Sequence, residues 1–289
     1  MSLRTTTPGS CIERRRQDRR RPPVREHEIR RWHESGHAWD RWADAMADPA
    51  ARLNGPLLAA LDLRPHHILL DLASGAGEPA ITAAKGMGPT GRVLASDLVP
   101  AMLAGARRRG VGVDALSFMT ADMTALPLGS ASVDRVSCRF GLMFVPDAAR
   151  AVAEMHRTLR PGGVAAALCW GPRADNTLFR LVDDALGGMP ELTVLFRFAE
   201  DGSLARLFQA AGFDAVSETP VRQTALADTA KPFWRPTLDM AFAPALARLA
   251  KEDRAALEDR IAASVRAQAD QDGRVPVHLH ARLLVARKT

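Results

Sequence analysis

The chain has 289 residues, 47% of them apolar and 25% charged, enough for the core of one large α/β domain, with or without a small cap, and no stapling by disulfides or metal. Lys and Arg outnumber Asp and Glu 39 to 33, but residues 1–31 alone hold ten arginines against four acids, so the body from Trp32 onward is charge-balanced, which argues against a nucleic-acid-binding surface. Three widely spaced cysteines (Cys11, Cys138, Cys169) exclude a disulfide framework and no apolar run approaches a membrane span, so a cytoplasmic setting is expected.

The segment Glu13 to Pro23 has almost no apolar residue and reads, with the rest of 1–31, as a solvated arginine-rich extension. No apolar stretch follows its arginines, so a secretory signal does not fit. Residues 33–62 then show helical spacing of Trp39, Trp42, Met46, Leu53, Leu57, Leu58 and Leu61, divided by Pro49 and by Asn54-Gly55-Pro56 into two or three short helices. At Ile68 the period changes. Ile68 to Leu72 is a short apolar run stopped by glycines, as in a buried parallel strand. Val93 to Asp97, Ala115 to Met119, Val133 to Cys138 and Val164 to Cys169 repeat that pattern, with helices expected over Pro79 to Gly86, Pro100 to Arg109 and Ala148 to Leu159 between them. The alternation predicts a doubly wound α/β sheet, mostly parallel. Beyond Trp170 a helix is expected over Ser203 to Ala211, a sixth strand over Phe213 to Thr224, helical chain from Leu238 to Asp272, and a seventh strand over Pro276 to Ala286. The resulting divisions are a tail (1–31), N-terminal cap helices (32–65), a cofactor-binding core (66–225), a helical insert acting as a lid (226–274) and a final core strand (275–289).

In open α/β sheets ligands bind outside the carboxyl ends of the strands. Asp71-Leu72-Ala73-Ser74-Gly75-Ala76-Gly77-Glu78 sits at such an end. Its glycines let backbone approach a ligand, and Pro79 opens the next helix, whose free N–H groups suit an anion. A glycine loop alone is also an ordinary tight turn. Three acids at successive strand ends make it more specific. Asp71 can orient the loop and a ligand's ammonium; Asp97 can accept from both hydroxyls of a ribose; Asp122, within Ala121-Asp122-Met123, can receive an adenine amino group. Each acid singly is a common turn or cap residue. A dinucleotide fingerprint would place a third glycine where Ala80 stands.

The order Asp71…Gly75-Ala76-Gly77-Glu78, Asp97, Asp122, Val133-Asp134-Arg135-Val136, Phe140-Gly141-Leu142, Val145-Pro146-Asp147 and Leu159-Arg160-Pro161-Gly162-Gly163 resembles the class I S-adenosylmethionine-dependent methyltransferases, and most nearly the branch holding the ubiquinone/menaquinone biosynthesis C-methyltransferases. The resemblance covers about residues 66–225 and implies a Rossmann-like sheet of seven strands binding S-adenosylmethionine, with S-adenosylhomocysteine as product. It places Ala73, Ser74, Gly75 and Gly77, with Pro79, along the methionyl part and Asp97, Leu98 and Met102 around the ribose and adenine. Ala121, Asp122 and Met123 would cap the adenine, and Cys138, Arg139 and Phe140 would lie toward the sulfonium. Where the quinone enzymes carry an arginine and an asparagine after Phe-Gly-Leu, with the arginine assigned to catalysis, this chain has Met143-Phe144. The cofactor half transfers; the quinone substrate does not.

Methyl transfer from a sulfonium needs alignment and a dry pocket, with a base if the acceptor is an oxygen or an acidic carbon. His33 and His37, four apart on one helical face, are the candidate bases. With no third ligand in sight they do not argue for a metal, and packed or solvated histidines fit the same spacing. Trp39 suits a cap helix lying over the cofactor, or simply the core. Phe179, Leu181, Met189, Phe196, Phe198, Phe233, Trp234 and Met240 supply either an apolar acceptor pocket or core packing. The expected function is methylation of a small, largely apolar, secondary-metabolite-like acceptor at oxygen or carbon. A nicotinamide-dependent oxidoreductase and a cofactor-binding protein without methyl transfer are the alternatives, and a homo-oligomer is left open.

Overall fold

The computed structural model describes residues 24–188 and 190–289. It contains one seven-stranded sheet of order β3-β2-β1-β4-β5-β7-β6, the expected α/β, doubly wound, mostly parallel architecture. Its strands are β1 (Ile68–Leu72), β2 (Arg92–Asp97), β3 (Leu116–Thr120), β4 (Val133–Arg139), β5 (Leu159–Trp170), β6 (Ala215–Asp228) and β7 (Arg274–Arg287). β1 to β5 run parallel, and β7 runs antiparallel to both β5 and β6. Strand order reverses between β1 and β4, the switch point where such sheets open a crevice.

The central strands read as unbroken apolar runs because both faces are covered. Leu69, Leu70 and Leu72 in β1, and Val164 to Cys169 in β5, are at most 1% exposed. On one face pack α2 (Ala47–Leu61) and α3 (Ala80–Met87); on the other pack α5 (Ala148–Thr158) and α7 (Ser203–Ala210). α4 (Pro100–Arg109) lies beside β2 and β3, and α1 (Val24–Trp42) crosses it. The crossing is tight: a Cβ on Gly105 would lie 2.5 Å from Asp40 Oδ1.

Several boundaries differ from expectation. α1 begins at Val24, inside the segment 1–31 read as a solvated tail, because Arg25 to Arg31 is built largely of good helix formers; residues 1–23 lie outside the described residues. The chain divides the N-terminal helices at 43–46 and not at Pro49, and α2 runs through Asn54-Gly55-Pro56. Interior proline costs a helix about 3 kcal/mol, but α2 buries Leu53, Leu57 and Leu61 to 4%, 0% and 0% exposure against the sheet, which offsets that cost at roughly 1.5–3 kcal/mol per side chain. The insert between the last two strands holds α8 (Arg235–Ala241), α9 (Ala243–Leu246) and α10 (Lys251–Ala267), after α6 (Thr177–Ala185) earlier in the chain. β7 is an interior strand, and His280 on it is 3% exposed. Among the described residues no helix is long and apolar enough to cross a membrane.

Candidate active site

A cavity of about 660 Å³ opens at the carboxyl ends of β1, β2 and β4. Its floor is the loop after β1. Ser74 N donates to Ser96 O (2.9 Å), and Ser74 Oγ donates to Asp71 O (2.8 Å) while accepting from Ser96 N (2.9 Å). The loop is thereby riveted to the end of β2. Ala73 and Gly75 both hold left-handed backbone, φ 53° each, and Gly77 has φ 109°. Gly77 is a packing glycine as well, since a Cβ there would sit 2.5 Å from Ile81 Cδ1. Phe140, after β4, also has positive φ (58°), so two non-glycine residues at adjacent strand ends carry strain of the kind that collects at functional sites.

Asp97 accepts from Gly75 N (3.0 Å, Oδ2) and Val99 N (3.0 Å, Oδ1). Burial raises its pKa, against those backbone hydrogen bonds. It therefore joins the β1 loop to the β2 loop while facing the cavity. Asp122 Oδ1 accepts from Thr124 N (2.9 Å) and Thr124 Oγ1 (2.7 Å), so it caps its own turn as well as lining the cavity. Asp71 is fully buried. Its Oδ1 accepts from Ser137 Oγ (2.6 Å), its Oδ2 has no hydrogen-bond partner, and burial pushes its pKa from 3.8 up to about 6. Arg109 braces the same loop, donating from Nη1 to Ala76 O (2.8 Å) and lying 3.7 Å from Glu78.

Of the residues read as cofactor-binding, Trp39, Ala73, Ser74, Gly75, Asp97, Leu98, Met102, Ala121, Asp122, Met123, Arg139 and Phe140 line this one cavity. Asp71, Gly77, Pro79 and Cys138 do not; they support the lining from behind. Cys138 points into the core at 0% exposure, and burial raises its thiol pKa to about 12, so it reaches no ligand and is inert. His33 and His37, the candidate bases, are exposed and outside the cavity. The reason is helical phase: α1 turns Trp32, Ser35, Trp39 and Ala43 inward, which puts positions 33 and 37 on its outer side. Among the described residues no three His, Cys, Asp or Glu side chains are placed to hold a metal.

The other wall is apolar and comes from segments distant in sequence. Trp32 stands edge-on to Phe144 with centroids 4.7 Å apart, and Phe140 stacks on Trp170 at 4.0 Å and 12°. Leu178, Phe179, Leu195, Phe233 and Met240 continue it, and the β6–β7 hairpin adds Ala225, Ala227, Val277 and Leu279, with Gln223 polar among them. Leu181, Phe198 and Trp234, grouped with these in the sequence, are core, and Met189 lies outside the described residues. Ser137, Arg109 and Glu78 were not legible as site residues, because contacts across the sheet and not local spacing bring them here.

Comparison with known proteins agrees with this geometry. The methyltransferase domain family matches residues 70–167. Residues 70–167 carry a methyltransferase domain. Over 110 residues it is 44% identical to the ubiquinone/menaquinone biosynthesis C-methyltransferase of Acidiphilium cryptum, covering 37% of this chain and 43% of that protein. The chain thus spans less than half the length of the curated relatives it matches. Among solved structures, the Haloferax volcanii putative methyltransferase complexed with the Trm112 activator shares the fold at TM-score 0.54 and 20% identity, covering 86% of this chain and 96% of that one. Haemonchus contortus phosphoethanolamine N-methyltransferase 2, solved with phosphomonomethylethanolamine and S-adenosylhomocysteine, does so at 0.53 and 17%, covering 82% and 52%. The seven-stranded sheet has the fold that these structures share.

Proposed function

We propose that the chain transfers the methyl group of S-adenosylmethionine to a small, largely apolar acceptor at oxygen or carbon. The observation that carries the reading is the division of the one cavity. Polar strand-end loops (Ser74 to Ala76, Asp97, Asp122) form one side, and a wall of aromatic and aliphatic side chains forms the other. The residues present suit the cofactor. Asp97 keeps lone pairs for ribose hydroxyls beyond its two backbone bonds, the Gly75 backbone is bare toward the cavity, and Trp39 Nε1 and Arg139 Nε are buried donors without partners.

When bound, the cofactor supplies an electrophilic methyl group. The chain's contribution is alignment and exclusion of water. α1 closes over the loops, Met102 packs beneath Gly36 and beside Gly75, and the Phe140–Trp170 stack offers a flat apolar surface for the acceptor. Among the described residues no histidine lines the cavity, so the reading favours an acceptor already nucleophilic near neutral pH. The quinone reading is disfavoured by Met143, which is 0% exposed in the core, and by Phe144, which replaces a polar side chain with an aromatic wall.

Calorimetry with S-adenosylmethionine, S-adenosylhomocysteine and NAD on wild type and Asp97→Ala tests the assignment. The wild type should bind the adenosyl-sulfur ligands and not NAD, and Asp97→Ala should lose at least about tenfold in affinity. Preference for NAD, or unaltered binding by the variant, overturns it. Radiolabelled methyl transfer to a panel of phenols and 1,3-dicarbonyl compounds then tests turnover.

A further inference from the structure

The apolar wall of the cavity is interrupted by two neutral polar side chains. Gln223, Ala225 and Ala227, alternate residues on one face of β6, all turn to the cavity. Thr237, in α8, lines it as well and is 8% exposed. Among the described residues neither the Gln223 amide nor the Thr237 hydroxyl has a hydrogen-bond partner. A helical threonine commonly bonds a carbonyl three or four residues back; this one does not. Polar groups set in an apolar wall are costly unless something satisfies them, and solvent does so until a ligand displaces it. A wholly apolar acceptor would leave both groups unpaired, whereas an oxygen on the acceptor would complete them. Charge narrows the choice further. The cations that line the cavity, Arg31, Arg52, Arg109 and Arg139, stand on α1, α2, α4 and β4, and among the described residues the β6–β7 hairpin and the segment it carries add none. An ionised group docked against Gln223 would therefore be desolvated without a counter-charge.

We propose that Gln223 and Thr237 select an acceptor bearing a second, neutral oxygen, a hydroxyl or a carbonyl, set apart from the atom that is methylated. The inference rests on the methyltransferase reading and deepens it. The acceptor is a flat, oxygenated molecule. Its face lies on the Phe140–Trp170 stack, whose rings are 12° from parallel, its reacting atom turns to the strand-end loops, and its far oxygen meets the hairpin side of the wall. Gln223 and Thr237 determine specificity and take no part in the transfer itself.

The test is calorimetry on the full chain saturated with S-adenosylhomocysteine, using three flat probes: 2-naphthol, 2,6-dihydroxynaphthalene and 6-hydroxy-2-naphthoate. Wild type should prefer the diol to 2-naphthol by about tenfold, as expected for one or two added hydrogen bonds, and should bind the carboxylate no better than 2-naphthol. The double variant Gln223→Leu/Thr237→Val should bring diol and 2-naphthol within about twofold by weakening the diol alone. Thr237→Ser, which keeps the hydroxyl, should retain the preference. Affinity for S-adenosylhomocysteine reports whether each variant is folded. If the double variant does not fold, Gln223→Leu alone, on the edge strand, decides the matter and should lose at least about half of the preference in free energy. Wild type indifferent to the second hydroxyl, a variant that keeps the full preference, or no binding of any naphthalene by the S-adenosylhomocysteine complex overturns the proposal. A carboxylate that binds more tightly than the diol overturns it in favour of an acceptor anion held by one of the arginines. If wild type does not bind S-adenosylhomocysteine at all, the methyltransferase reading itself fails.

Discussion

Asp71→Asn should make the protein more stable. The carboxyl is fully buried and its pKa rises from 3.8 to about 6. At 1.36 kcal/mol per pH unit, keeping it ionised in the folded protein costs about 3 kcal/mol. The sign follows from proton counting. With the folded pKa above the unfolded one, the folded state holds more protons between about pH 4 and 6, so this group's contribution is most favourable below that window and declines as pH rises through it. Asparagine retains an acceptor for Ser137 Oγ, 2.6 Å away in the wild type, and removes the charge. At pH 7.5 the variant should therefore be up to about 3 kcal/mol more stable to urea, roughly 5–10 °C in Tm for a chain of this size. At pH 4.5, still above the unfolded pKa of 3.8, the difference should shrink to about 1 kcal/mol, and it should vanish below about pH 3.5. Urea unfolding at pH 4.5, 6 and 7.5 on both proteins is sufficient. A stability difference that stays constant across that range refutes the reasoning, whatever its size, because the argument attributes it to ionisation.

Other predictions address the frame around the loop. Gly77→Ala places a Cβ 2.5 Å from Ile81 Cδ1 and 3.2 Å from Ala106 Cβ at φ 109°, so it should cost about 1–3 kcal/mol in urea unfolding; a neutral result would mean that α3 and α4 are less tightly packed than described. Cys138, with its thiol pushed up to about 12, should stay unlabelled by iodoacetamide at pH 8 in the native protein and react on unfolding, as followed by peptide mass mapping. Labelling within minutes under native conditions would show that the strand end opens.

The strand-end loops were legible because their sequence pattern is local. β1, its glycine loop and Asp97 lie within 30 residues, and each strand announces itself as a short apolar run buried on both faces. The period change at Ile68 and the acids at three strand ends needed no knowledge of distant contacts. His33 and His37 failed for lack of phase: four-residue spacing says that two side chains share a face but not which face turns inward, and Trp32 and Trp39 settled that by packing. The interior position of β7, and with it the burial of His280, depends on strand order, which local pattern does not encode. The acceptor wall was legible only as a supply of apolar residues. Phe144, Trp170, Phe179, Phe233 and Leu279 meet through the fold, and in the same list Trp234 and Phe198 went to the core. Pro56 within α2 shows the converse, a local breaker overruled by the burial of three leucines.

The β6–β7 hairpin has a further consequence. The two strands pair along all fourteen residues, from Ala215↔Arg287 to Asp228↔Arg274, and Thr229 closes the stem on Gly273 O with N at 3.0 Å and Oγ1 at 2.8 Å. Everything between, residues 230–272, enters and leaves at one fixed point. That segment brings Phe233, Thr237 and Met240 to the acceptor wall and none of the strand-end loops. The segment is also anchored along its length: Trp234, Leu238, Phe242, Leu257, Ile261 and Val265 join the main core, and Asp239 accepts from Trp42 Nε1 at 3.0 Å, so one covering piece ties the hairpin, the core and α1 together over the cavity.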